Sequence, residues 1–199
     1  HGVRNNQSIR DIKAIIEEHQ PDVVHIHNLF PLISPAILPV IKSFKIPIAM
    51  TIHNYRLICP NGLLFNKGKI CEKCTGKGKE FNTILNNCEG SLLKSTGYAL
   101  RNFWARFTKK YLNNVDAILC LTEFQKNKLI KNGFDENKCS VIPNFYNREI
   151  VDKTINFENK TYVALAGRIS PEKGLPIFLA AAKKLPNIPF QIAGFMRPG

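Results

Sequence analysis

Short apolar runs alternate along this chain with stretches whose apolar residues recur at helical spacing. In the first such stretch Ile9, Ile12, Ile15 and Ile16 share one face; Ser8 is suited to cap it and Pro21 to stop it. Residues 23–27 and 46–52 read as strands buried on both faces, the second ending at His53-Asn54. Between them Ser34-Pro35 predicts the cap and first position of a helix running towards Lys42. Residues 55–90 lack periodicity and read as a long loop. Residues 92–113 read as one amphipathic helix, with Leu100, Phe103, Trp104, Phe107 and Tyr111 in a stripe and Arg101, Arg106, Lys109 and Lys110 elsewhere on the wheel. A strand is expected over 115–121. Thr122-Glu123-Phe124-Gln125 then fits a capping box, and Gly133 the residue just past that helix. A short strand at 140–142 leads into a polar, unperiodic tract, within which residues 146–160 read as a linker.

Beyond the linker, Tyr162-Val163-Ala164-Leu165-Ala166 is short enough for one buried strand. Gly167 ends it, Arg168 and Lys173 follow, and Gly174 closes the turn. Leu175, Phe178, Leu179, Ala182 and Leu185 then mark a helix, and Phe190-Gln191-Ile192-Ala193 another strand. Repeated strand–helix alternation with apolar strands predicts an α/β protein with parallel sheets. Residues 1–145 are expected to hold most of a first doubly wound domain, and 161–199 the start of a second. The missing initiator Met and an end at Arg197-Pro198-Gly199 suggest a piece cut at both ends.

Composition narrows the class. Apolar residues at 44% and charged residues at 22% are those of an ordinary globular protein. No apolar run reaches the roughly 20 residues of a membrane span, and residues 1–6 have no signal-peptide core. Six cysteines without secretory context argue for a reducing compartment. The formal charge is +13, and residues 55–113 concentrate it, with 11 Lys and Arg against 3 Asp and Glu. Such a surplus suits nucleic acid, an anionic membrane or an anionic substrate. The helix at 92–113 accordingly has two readings. Its aromatic stripe packs on a sheet, as a crossover helix does, or it lies on an anionic bilayer.

The turn between Gly167 and Gly174 is a candidate phosphate site. A helix start favours an anion, Arg168 offers a planar fork of donors, and Lys173 a mobile charge. It is neither a dinucleotide fingerprint nor a P-loop, and an ordinary βα turn with two solvated cations is the other reading. His27-Asn28 and His53-Asn54 each follow a strand, where ligands bind in doubly wound sheets. A neutral imidazole there can bond a sugar hydroxyl or move a proton.

Taken in order, Asp22-Val23-Val24-His25-Ile26-His27, Thr51-Ile52-His53-Asn54, Val141-Ile142-Pro143-Asn144 and Gly167-Arg168-x4-Lys173-Gly174 resemble the retaining glycosyltransferases of family 4, which have the GT-B fold of two Rossmann-like domains. The resemblance implies that Gly167, Arg168 and Lys173 hold the diphosphate of a nucleotide-sugar donor. It implies that His53 lies near the transferred sugar as a catalytic residue, with His27, Asn28 and Asn54 on the acceptor side. It further implies that catalysis needs no metal, that the acceptor attacks the front face with help from the leaving phosphate, and that the acceptor is a glycan or a lipid-linked sugar. Cell-surface polysaccharide synthesis at the cytoplasmic side, with peripheral membrane contact and no nucleic acid, fits that picture. The family's Gly-rich loop and Glu-x7-Glu element fall outside this sequence, so the piece alone is expected to be inactive.

Cys59, Cys71, Cys74 and Cys88 lie in the 55–90 segment, with one Cys-x2-Cys pair among them. A structural zinc on these four is one reading and four free thiols the other. A similar set occurs in part of the resembled family. Cys120 falls inside a strand and reads as core. Two other functions compete: a basic, zinc-stapled nucleic-acid-binding module, and a GT-B sugar-nucleotide epimerase. The first leaves the His-Asn pairs and the Arg168 turn unexplained.

Overall fold

A computed structural model describes residues 2–30, 32–145 and 161–196. It divides into two compact units, His1–Asn144 and Phe145–Gly199. The tract expected as a linker, 146–160, lies outside the described residues.

The first unit is built on four parallel strands in the order β1 (Val24–His27), β2 (Ile48–Ile52), β5 (Ala117–Cys120), β6 (Cys139–Val141). Between β2 and β5 lie two very short strands, β3 (Phe65–Asn66) and β4 (Lys69–Ile70), which pair antiparallel. Helix α1 (Asn6–His19) is capped by Asn5, whose side chain accepts from the N–H groups of Gln7 and Ser8. The cap is therefore Asn5, three residues earlier than the Ser8 expected. Ile9, Ile12 and Ile16 turn inwards, while Ile15 remains exposed. Helix α2 (Ile37–Ser43) begins later than Ser34-Pro35 predicts, because the Ser34 hydroxyl accepts from the Asn5 N–H at 3.0 Å and is not free to cap it. Ile41, Ile48, Leu38, Leu129, Val115 and Cys120 form the best-buried part of the core.

Strand β1 departs from expectation. Ile26 is buried, but His25 and His27 are exposed on the alternate face. Among the described residues it lies at the edge of the sheet, so the two-sided burial of a central parallel strand does not apply. Strand β2, flanked on both sides, is buried nearly throughout.

Residues 55–90 are more ordered than a loop. Lys67 and Gly68, both at positive φ, make the two-residue turn between β3 and β4, and α3 (Asn82–Leu85) follows. The expected single helix over 92–113 is two: α4 (Leu92–Phe107) and α5 (Lys110–Asn114), broken at Lys109 in the left-handed region. Of its two readings, packing of the stripe against a sheet holds for Tyr111 on α5, which is buried, and fails over α4. The buried residues of α4 are Ser95, Ala99, Arg101, Asn102 and Ala105, while Leu100, Trp104 and Phe107 face solvent. Small side chains let α4 approach the chain beneath it closely, and the Arg101 guanidinium replaces the expected aromatic as its large inward group. Arg101 lies 3.9 Å from the Phe30 ring centroid, donates to Pro60 O at 2.9 Å, and is held down to about 10 by burial.

Helix α6 (Glu123–Lys131) follows its sequence signals: Thr122 Oγ1 accepts from Gln125 N at 3.1 Å, and Gly133 at φ 91° ends it. The second unit consists, among the described residues, of β7 (Val163–Ala166), α7 (Leu175–Lys184) and β8 (Phe190–Ala193), with β7 and β8 parallel. Strand β7 was expected to be buried; it is largely exposed, and α7 has no buried residue. Two strands and one helix give β7 a single neighbouring strand and one packed layer.

Candidate functional site

The register of β1 on β2 builds the first site. His27 stands opposite Thr51, so the residues just past the two strands, Asn28 and His53-Asn54, emerge side by side. His27 Nδ1 and His53 Nε2 are 2.8 Å apart, with the rings stacked at 5.1 Å between centroids. Asn54 Nδ2 donates to Asn28 Oδ1, also at 2.8 Å. Asn28 sits at φ 50°, a left-handed turn that Asn tolerates. Asn54 Oδ1 in turn accepts from Arg56 N at 3.0 Å, which fixes its amide. The two His-Asn pairs thus meet residue against residue. His53 is exposed at the strand end and is not packed in the sheet core.

A third histidine joins them. His25 Nε2 lies 2.8 Å from Thr51 Oγ1, and its ring centroid is 4.3 Å from that of His27. Desolvation first, and then the charges of His27 and His53, hold His25 below its ordinary value. Below this row is a recess lined by Asn28, Phe30, Thr51, His53, Arg56 and Tyr111. The row offers imidazole and amide groups towards solvent and has no carboxylate among its members. It suits hydrogen bonding to hydroxyls and proton movement through imidazole. Sequence reasoning passed over His25 and Thr51. The signal was available: His-x-His in a strand puts both rings on one face.

The second unit holds the Gly167–Gly174 turn. Gly167 is at φ 142° and its N–H is paired to Ala193 O at 2.9 Å. A Cβ placed on Gly194 would stand 1.7 Å from Gly167 O, so this backbone crossing requires glycine at 194. Residues Pro171–Lys173 form a 3-10 turn that precedes α7. Arg168 Nη2 faces Glu172 Oε1 at 3.8 Å. Against its partial burial, its own N–H, the Ser170 hydroxyl and the charges of Arg168 and Lys173 keep Glu172 below its ordinary value. The helix start offers fewer donors than expected. Pro176 has no N–H, and those of Ile177 and Phe178 are bonded to Gly174 O. An anion here is left chiefly to the side chains of Arg168 and Lys173.

The four cysteines of 55–90 lie in one neighbourhood. The Cys59 and Cys74 thiols are close enough to influence each other. The neighbouring Cys74 thiol, with the N–H groups of Leu64, Gly62 and Asn61, draws Cys59 down to about 6 despite its burial. The Cys59 thiol and burial push Cys74 up. As a thiol, Cys59 donates to Asn61 Oδ1 at 3.1 Å. Burial and the nearby sulfurs of Cys59 and Cys71 raise Cys88. Among the described residues no three His, Cys, Asp or Glu side chains are arranged around one metal position. Cys120 is core, as expected.

The model of the family described as Glycosyltransferase Family 4 matches residues 1–150, which takes in the first unit and its His-Asn row. No curated protein matches the chain.

Proposed function

This chain belongs to glycosyltransferase family 4, and we propose on that basis that it serves a retaining transfer of a sugar from a nucleotide-sugar donor to a glycan or lipid-linked acceptor. The observation that carries this reading is the pairing of His27 with His53 and of Asn28 with Asn54 at the ends of two adjacent parallel strands. It concentrates sugar-directed hydrogen-bonding groups where an α/β sheet takes its ligand.

In this reading His53 is the catalytic residue and bonds the sugar being transferred, while His27, Asn28 and Asn54 receive the acceptor. Gly167, Arg168 and Lys173 hold the donor diphosphate. Departure of that diphosphate builds negative charge on its terminal oxygens, and the two cations oppose it without a catalytic metal. Arg168 must exchange Glu172 for phosphate as the donor binds, and its long 3.8 Å contact makes that exchange inexpensive. Cell-surface polysaccharide synthesis on the cytoplasmic side is the setting this chemistry suits. A structural zinc on Cys59, Cys71, Cys74 and Cys88 is a separate proposal, supported by the N–H groups that favour a Cys59 thiolate.

Incubation of the active protein with a panel of nucleotide sugars and glycan acceptors tests the reading. The expected product is a new glycoside with the donor's anomeric configuration retained. An altered nucleotide sugar with no glycoside would assign the same fold to an epimerase instead.

A further inference from the structure

Helix α4 places its small and polar residues inwards and its largest apolar residues outwards. Leu93 is 84% exposed, Leu100 47%, Trp104 46% and Phe107 70%. Spaced along the helix, these form one stripe about 21 Å long at 1.5 Å per residue. The patch extends sideways onto α3, where Leu85 is 83% exposed. Aromatic rings make it continuous: Phe81 and Phe103 are 5.4 Å apart between centroids, Phe103 and Phe107 5.7 Å, Trp104 and Phe107 6.3 Å. Beside it runs a groove of roughly 530 Å3 that Phe103 and Phe107 line together with Lys77 and Lys109. A contiguous aromatic surface of this kind is costly to leave in water and marks a docking face.

The surrounding charge identifies the occupant. Lys94 on α4 and Lys77 and Lys109 along the groove are exposed, as are Lys73 and Lys79 in the segment before α3. The carboxylates of this region do not cancel them. Glu80 is buried and paired with Arg106, Glu72 is paired with Lys128, and Glu89 is half-buried. The outward charge is therefore positive, whereas a protein partner's docking face generally depletes Lys. An aromatic stripe with a lysine rim matches the boundary of an anionic bilayer, where Trp and Phe sit among headgroups and each nearby Lys is attracted by the surface potential. Among the described residues no helix is long and apolar enough to cross a membrane, so the contact is one of lying on the surface.

We propose that the outer face of α4, continued by α3, docks this protein on an anionic phospholipid bilayer, with Leu93, Leu100, Trp104 and Phe107 entering the headgroup boundary. This surface is independent of the sugar-transfer chemistry and stands whether or not that reading holds.

Trp104 is the chain's only tryptophan, so its emission reports directly on the patch. The whole protein is mixed with vesicles of phosphatidylglycerol and phosphatidylcholine, and with phosphatidylcholine alone. Co-sedimentation with the anionic vesicles is expected, with a blue shift of Trp104 emission and quenching by brominated acyl chains. Binding should fall at least tenfold in 0.5 M salt. Because Leu100 and Phe107 are exposed, Leu100→Ser with Phe107→Ser should leave the circular dichroism spectrum unchanged and weaken vesicle binding at least tenfold. Three results would overturn the proposal: no binding at low salt, binding without any change in Trp104 emission, or a blue shift that follows protein concentration in the absence of vesicles. The last would assign the face to a second copy of the chain.

Discussion

His27 Nδ1 and His53 Nε2 lie 2.8 Å apart although 26 residues separate them in the chain. One ring must present its N–H and the other its lone pair, so the two tautomers are complementary. Fixing one fixes the other. The ring atoms left over, His27 Nε2 and His53 Nδ1, then have set donor and acceptor roles for a ligand. Parallel pairing of β1 with β2 produces this geometry, because register at His27 and Thr51 brings the next residues of both strands to the same edge.

The pair separates catalysis from binding. His53→Ala in the active protein is expected to lower kcat by about a hundredfold, the lower range for a positioned proton-transfer group. Nucleotide affinity should change little. Steady-state kinetics beside calorimetry with the nucleotide reads both. An equal loss in both would move His53 from the sugar to the nucleotide.

Arg168→Ala is expected to weaken binding of a nucleoside diphosphate by roughly 1.5–3 kcal/mol, the range for hydrogen bonds to charged groups. Glu172→Gln removes the competitor at 3.8 Å and should leave affinity equal or slightly higher. Calorimetry on both variants is the check. Unchanged binding in Arg168→Ala would remove that residue from the donor site.

These two sites were legible in different degrees. The His-Asn pairs could be read because each follows an apolar run of strand length, and strand ends are where a parallel sheet presents ligand groups. Their mutual hydrogen bonds could not, because register depends on which strands are neighbours. Gly194 was invisible for a similar reason: its constraint is the carbonyl of Gly167, a contact across two strands. Helix α4 kept two readings because a wheel shows that one side is apolar and does not say which side faces the core. The close approach of Ala99 and Ala105, and the bonds of Arg101 to Pro60 O and Asn102, decide that. The edge position of β1 escaped the same way, since an apolar run looks alike at an edge and at a centre.

The cysteine neighbourhood leads to a metal prediction. Protein purified without chelator is expected to carry about one zinc per chain at a tetrathiolate site. Cys59→Ser or Cys74→Ser should release it, and both should lower thermal stability. Elemental analysis alongside native thiol titration decides the point. Zinc-free protein with four titratable thiols in this segment would establish them as free.

Asp116 ties β2 to the start of β5. Its carboxylate accepts from Ile48 N at 2.8 Å and from Lys42 Nζ at 3.0 Å. Against desolvation, which raises it, these two bonds hold Asp116 below its ordinary value near 3.8. A depressed carboxylate stabilises the fold above its unfolded value, and that stability is lost as pH falls through the folded one. Asp116→Asn should therefore cost about 1 kcal/mol at neutral pH, a figure kept small by solvent exposure. The gap between wild type and variant should close as pH drops below 3.8. Urea melts from pH 7 to about pH 2 measure it, and a gap that does not narrow towards the acid end would refute the charge-based account.

Arg101 is the test of the inverted helix. It is 4% exposed, yet among the described residues its guanidinium has no carboxylate partner; it donates to Pro60 O and Asn102 Oδ1 and lies over Phe30 and Tyr98. Burial disfavours its charge, so the bonds and ring contacts must offset that cost. Arg101→Ala removes the donor and leaves the Pro60 carbonyl unpaired beneath α4. A loss of roughly 3 kcal/mol is expected, from a charged hydrogen bond and desolvated ring contacts together. Arg101→Lys should recover only part, because an ammonium cannot reach both oxygens in one plane and stack as well. By contrast, Trp104→Ala on the outer face should change stability by less than about 0.5 kcal/mol, as exposed substitutions generally do. Chemical denaturation of the three variants compares them directly. If Trp104→Ala proved costlier than Arg101→Ala, the aromatic side of α4 would be the one that faces the core.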